Sequence, residues 1–150
     1  MSFRYTLQKV LEIKEKDKQE KQQMYITATQ TFEETATQLY NLLKRKEEIE
    51  SDYRTKLEKG IVVFELQRHQ SVMSGLQRNI EEQQFKTNVA REQMVQTQDV
   101  LTKSSIDVKT FEIMKERKYE QYLFEEKAKE NQFMDEISVQ LYVNRNKVRA

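Results

Sequence analysis

Proline is absent from the 150 residues, and glycine occurs only at Gly60 and Gly75. Ordinary chains carry about 5% proline and about 7% glycine. Nothing here removes a backbone donor or clashes with a preceding turn, so helix can run almost unbroken. Cysteine is also absent, which excludes a disulfide framework and any thiolate metal site. Histidine occurs once, as His69. One imidazole would need carboxylates arranged around it to hold a metal, and no such motif stands at helical spacing. His69 therefore reads as a surface or hinge-packing residue. The longest apolar run is Ile61-Val62-Val63-Phe64, whereas a membrane span needs about 20 apolar residues. The first ten residues contain no apolar core of the kind a signal peptide requires. A soluble cytoplasmic protein is the expectation.

What is present fits that picture. Lys, Arg, Asp and Glu make up 34% of the chain and nearly balance, leaving a net charge of +1. Phosphate neutralisation needs a clustered cationic excess, so nucleic acid is not the expected partner. Leu, Ile, Val and Phe number 37 of 150 residues, above the roughly 20% below which disorder is the default. The chain can bury a narrow seam but not a thick core. The expected fold is all-α, a long antiparallel two-helix coiled-coil hairpin with a projecting C-terminal helix, forming one domain over residues 1–150.

The seam can be stepped at coiled-coil spacing, about 3.5 residues per turn. In the first half it runs Tyr25, Ala28, Phe32, Thr35, Leu39, Leu42, Lys46, Ile49, Tyr53, with Leu7 and Val10/Leu11 upstream. Between them, residues 14–23 contain no apolar side chain. Pairs such as Glu12–Lys16 and Asp17–Lys21 support helix there by only about 0.2–0.5 kcal/mol each. The first helix is predicted over about 3–59. Lys59 suits a negative helix end, and Gly60 accepts the left-handed conformation of a cap. A hinge follows over about 60–64, or as far as Gly75, with Ile61-Val62-Val63-Phe64 packed on the hairpin tip. The second helix is predicted over about 64–143. Its seam runs Leu76, Ile80, Thr87, Ala90, Met94, Leu101, Val108, Phe111.

The two helices differ in length. A turn centred near residue 61 or 62 sets Leu7 opposite residue 116 and leaves roughly 30 residues overhanging, some 45 Å. A turn reaching Gly75 reduces the overhang to about 15 residues. Either way Phe133, Met134, Ile137, Leu141, Tyr142 and Val143 lie near or past the paired region. A helix carrying such a stripe needs something to bury it against. No catalytic residue and no cofactor is expected. Adjacent pairs such as Glu81-Glu82 and Glu125-Glu126 do not face each other on a helix. A thin hairpin also offers no dry pocket to tune them, and two glycines fifteen apart make no phosphate loop. The tail Asn144-Arg145-Asn146-Lys147-Val148-Arg149 is modestly basic and reads as a frayed, solvated end, with contact to an acidic ring or anionic membrane as the alternative.

Several segments carry a family resemblance. They are Phe3-Arg4-Tyr5-Thr6-Leu7-Gln8-Lys9-Val10-Leu11, then Leu57-Glu58-Lys59-Gly60 with Arg68-His69-Gln70, Leu76 and Ile80. Val108-Lys109-Thr110-Phe111-Glu112 with Met114-Lys115-Glu116-Arg117-Lys118, and Met134-Asp135-Glu136-Ile137-Ser138, complete the set. In this order they resemble the flagellar export protein FliJ of Gram-positive type, over nearly the whole chain.

The resemblance implies a stalk-like component of flagellar type III secretion at the inner face of the cell membrane. It implies three partners: the hexameric export ATPase, the cytoplasmic domain of the export-gate membrane protein, and chaperones of late flagellar substrates. The gate-facing surface would comprise Ile49, Tyr53, Val72 and Leu76; Lys46, Asn79 and Gln83 depart from the family pattern there. The ATPase-facing surface would comprise Phe133, Ile137 and Leu141. The alternatives are a generic coiled-coil scaffold and the analogous small protein of a virulence-type secretion system. Light scattering separates the first two: the stalk reading expects a monomer in dilute solution, and a stable dimer or larger form would support the scaffold.

Overall fold

The computed structural model describes residues 2–149, with the Arg149 side chain outside the described part. Two helices account for nearly all of it: α1, Gln8–Lys59, and α2, Val63–Arg149. There is no strand among the described residues. The helices form an antiparallel hairpin whose contacts fall into two units. One comprises Lys18–Ser104, and the other joins the residues up to Asp17 with those from Ser105 onward.

In the Lys18–Ser104 unit the seam is a heptad repeat. Buried or half-buried positions on α2 fall at Leu66, His69, Met73, Leu76, Ile80, Gln83, Thr87, Ala90, Met94, Thr97, Leu101 and Ser104, alternating steps of three and four. The stepped positions of α1 from Tyr25 to Tyr53 are likewise buried or half-buried. Ile80 is the most enclosed, at 2% exposure. Polar contacts fix the register. The buried Gln83 amide donates to Thr35 O at 3.0 Å and to Gln38 Oε1 at 3.1 Å. Thr87 Oγ1 lies 2.8 Å from Gln83 O and 3.3 Å from Thr35 O. Lys46 occupies a seam position but turns its ammonium to Gln77 Oε1 at 3.1 Å. Arg91 stands over the Phe32 ring, 5.6 Å from its centroid.

The seam continues through the polar stretch, where Lys18 and Lys21 hold half-buried positions. Their stems can cover apolar surface while the ammonium stays wet. Gly75 lies within α2 and does not interrupt it, so the connection is confined to residues 60–62.

In the other unit, α1 begins at Gln8 rather than near residue 3. Residues 2–5 are irregular, and Phe3, Tyr5 and Leu7 are each half-buried while their neighbours Arg4 and Thr6 are exposed. That alternation is the two-residue period of extended chain. Phe3 packs edge-on against Tyr119, with centroids 5.2 Å apart, and tilted against Tyr122 at 5.5 Å. Tyr5 Oη donates to Phe111 O at 3.2 Å. Helix at these positions would spread Phe3 and Tyr5 around the axis and lose both contacts, so tertiary packing overrides local helix propensity. Leu11 and Val108 are the buried apolar residues of this unit. Lys14 Nζ reaches Asp107 at 3.7 Å, in a pair too exposed to contribute much.

The burial pattern separates residues of similar size. Ile80→Ala is expected to cost about 2–5 kcal/mol, and Phe85→Ala, at a position 70% exposed, less than about 0.5 kcal/mol. Urea unfolding followed by circular dichroism measures both, and equal losses would contradict the seam.

Candidate functional site: the hinge and the unpaired end of α2

The hinge is built from two helix ends. Lys56 and Lys59 stand in the last turn of α1, where cations suit the negative end of the helix dipole. Gly60 has φ +91°, and its N–H donates to Leu57 O at 3.3 Å. A side chain is strained in that left-handed region. α2 then begins at once: Leu66 N donates to Val62 O at 3.1 Å, and Glu65 lies in the positive first turn.

Behind this turn, the Tyr53 and His69 rings stack nearly parallel, with 3.6 Å between centroids. They floor an open groove of about 370 Å³ that also takes in Ile49, Asp52, Lys56, Ile61, Glu65, Arg68 and Val72. Three of the four residues expected at a gate-facing surface, Ile49, Tyr53 and Val72, thus come together. Leu76 does not join them. It is 6% exposed, and a partner could reach it only by parting the helices. His69, whose reading left open surface or hinge packing, packs in the hinge. The connector departs from expectation. Ile61 is half-buried, but Val62, Val63 and Phe64 are 68%, 68% and 71% exposed. The turn is so short that no chain remains to fold these side chains back.

The second candidate surface is the far part of α2. The contacts of the N-terminal segment end around Tyr122 and Glu125, and α2 continues to Arg149. Past that point it keeps its helix through good helix formers and local bonds, such as Ser138 Oγ to Met134 O at 2.9 Å. At about 100° per residue, Phe133, Ile137 and Leu141 share one face. Phe133 and Leu141 are 61% and 64% exposed, and Ile137 is half-buried. Met134, Tyr142 and Val143 are exposed as well. The helix reaches past residue 143, through the basic tail. Among the described residues, no three His, Asp or Glu side chains gather as a metal site would need.

Sequence reasoning missed two contributors. The Phe3–Tyr119–Tyr122 cluster was hidden because Phe3 lies outside any helical period. Gln83 was hidden because a polar seam residue carries no hydrophobic signal.

The fold and these surfaces define a class: an antiparallel two-helix coiled coil with an unpaired helical extension. A family model described as "Flagellar FliJ protein" matches residues 3–147. The flagellar FliJ protein of Bacillus subtilis (strain 168) is 34% identical over 143 residues, covering 95% of this chain and 97% of the relative. A solved structure of a putative YscO homolog from Chlamydia trachomatis shares the fold with a TM-score of 0.69 at 18% identity, covering 97% of this chain and 99% of the other. The chain therefore belongs to the FliJ family of flagellar export proteins.

The two glycines should answer substitution oppositely. Gly75→Ala has open space for its methyl group and should stabilise by up to about 1 kcal/mol. Gly60→Ala meets no clash either, but its φ of +91° should cost about 1–2 kcal/mol. Thermal unfolding of the two variants reads the signs, and like signs would count against the assigned turn.

Proposed function

We propose that the chain acts as a stalk-like subunit of the flagellar type III export apparatus. In this reading the unpaired end of α2 enters the ring of the export ATPase. The hinge region addresses the cytoplasmic part of the export-gate membrane protein, and helical surface binds chaperones of late substrates. The work is binding, carried out where cytoplasm meets the inner face of the membrane. No helix among the described residues is long and apolar enough to cross it.

One observation carries the reading: Phe133, Ile137 and Leu141 lie on a helix that has no partner within the described structure. Its apolar stripe gains from a protein surface that covers it. Family membership supports the flagellar setting over a virulence-type one, since the similarity to the YscO homolog is one of fold. On the hinge side the proposal rests on Ile49, Tyr53 and Val72, which share the groove. Leu76 enters it as the residue that holds the helices together beneath them.

The triple variant Phe133→Ala, Ile137→Ala, Leu141→Ala tests the assignment. These positions support no other part of the fold, so helicity by circular dichroism should be unchanged. Affinity for the purified export ATPase, measured by calorimetry, should fall on the order of 100-fold or more, as when several apolar anchors are lost together. Unchanged affinity would overturn the assignment of this end.

A further inference from the structure

The apex of the hairpin holds a surface that the export reading does not use. Val62, Val63 and Phe64 are consecutive, each more than two-thirds exposed, and Leu57 beside them is 47% exposed. Val62 lies in the connection, Val63 and Phe64 open α2, and Leu57 is in the last turn of α1, all outside the groove lining. Such a point is convex and narrow. A stable protein interface needs roughly 800 Å² from each partner, which a three-residue turn does not offer. It does offer a small apolar wedge.

The charges are arranged behind that wedge. Lys56 and Lys59 precede the connection, and Arg68 lies one turn into α2. With Glu58 and Glu65 counted, the tip carries one net positive charge. A helix rises about 1.5 Å per residue, so Lys59 lies about 1.5 Å, Lys56 about 6 Å and Arg68 about 9 Å behind the connection. Amphipathic elements bury their apolar face about 5–10 Å into the boundary between headgroups and acyl chains. With Val63 and Phe64 at that depth, the long stems of Lys56, Lys59 and Arg68 let their charged heads reach the lipid phosphates.

We infer that the hairpin apex is a membrane-touching tip, in which Val62, Val63 and Phe64 insert into the interface of an anionic bilayer and Lys56, Lys59 and Arg68 meet its phosphates. One short wedge with a few cations gives reversible attachment, not an anchor, because stable anchoring takes stronger combined signals. The inference is independent of what the C-terminal stripe binds.

The chain contains no tryptophan, so a single introduced indole reports its own surroundings. Full-length Phe64→Trp is titrated with vesicles of phosphatidylcholine alone and of phosphatidylcholine with phosphatidylglycerol. Phe124→Trp, at another highly exposed position, serves as the control. The expected result is a blue shift of the Phe64→Trp emission with anionic vesicles, binding at least tenfold weaker with neutral ones, and no shift for the control. Adding Lys56→Gln and Lys59→Gln should remove the anionic preference. In flotation with otherwise native sequence, Val63→Gln with Phe64→Gln should lower the bound fraction at least tenfold while circular dichroism is unchanged. No shift at saturating lipid would overturn the inference, as would equal shifts for the two indole variants. A shift produced only by the soluble domain of the export gate would overturn it too, and would assign the apex to a protein pocket. None of these results bears on the ATPase measurement.

Discussion

The fold rests on a seam one residue deep. Each layer of a two-helix coiled coil contributes one side chain from each helix, so no second shell of core compensates for a slipped register. One residue of slip turns a helix by about 100° and carries its seam to solvent. Two features act against this. Gly60 closes the turn within three residues, which leaves little freedom in where α2 starts. Gln83 then acts as a lock: its buried amide reaches Thr35 O and Gln38 Oε1 only in the observed register. A slip of a whole heptad would keep it buried and take away these two partners, which costs more than the bonds themselves contribute. Single polar residues in coiled-coil seams are known for this trade of stability against register.

That narrowness explains what was legible in the sequence. With no proline, the helices could be read from spacing, and Tyr25 to Tyr53 and Leu76 to Phe111 fall on the observed seam. Gln83, Thr97 and Ser104 lie on it too, but carry no hydrophobic signal of their own. The start of α1 was unreadable for a different reason. Phe3 and Tyr5 are held by aromatic and carbonyl partners more than a hundred residues away, and no local propensity encodes such contacts. At the candidate site the stripe Phe133–Ile137–Leu141 was visible as a period without a partner. The grouping of Ile49, Tyr53 and Val72 came from family pattern, and that pattern could not show Leu76 turned inward. The run from Ile61 to Phe64 looked like something to be buried, because exposure of a turn depends on its length and not on its composition.

Stability is distributed unevenly along the seam. Ile80, Thr87, Ala90 and Leu76 are nearly closed off from solvent. By contrast, Lys18 and Lys21 take seam positions on α1 where the α2 side offers Thr97, Leu101 and Ser104. Layers of this kind remove little apolar area from water, and burial of apolar area is the main favourable term. Thr29 adds a buried hydroxyl without a partner. Local opening follows low contact density, so this stretch opens more readily than the layers around Ile80. The contact units divide at the same place, between Asp17 and Lys18 and between Ser104 and Ser105.

The unpaired end of α2 carries charge as well as apolar side chains. Its stripe is not purely apolar. At about 100° per residue, Glu126 and Glu130 fall on the face that carries Phe133, Ile137 and Leu141. Self-association along that face would bring carboxylates from both copies into a drying interface, where like charges repel and desolvation is costly. The same carboxylates favour a different partner, one that offers apolar area and places cations against Glu126 and Glu130. Such a partner gains the stripe and neutralises the acids together, while a second copy can only do the first. Specificity of this kind comes from what the surface rejects as much as from what it attracts.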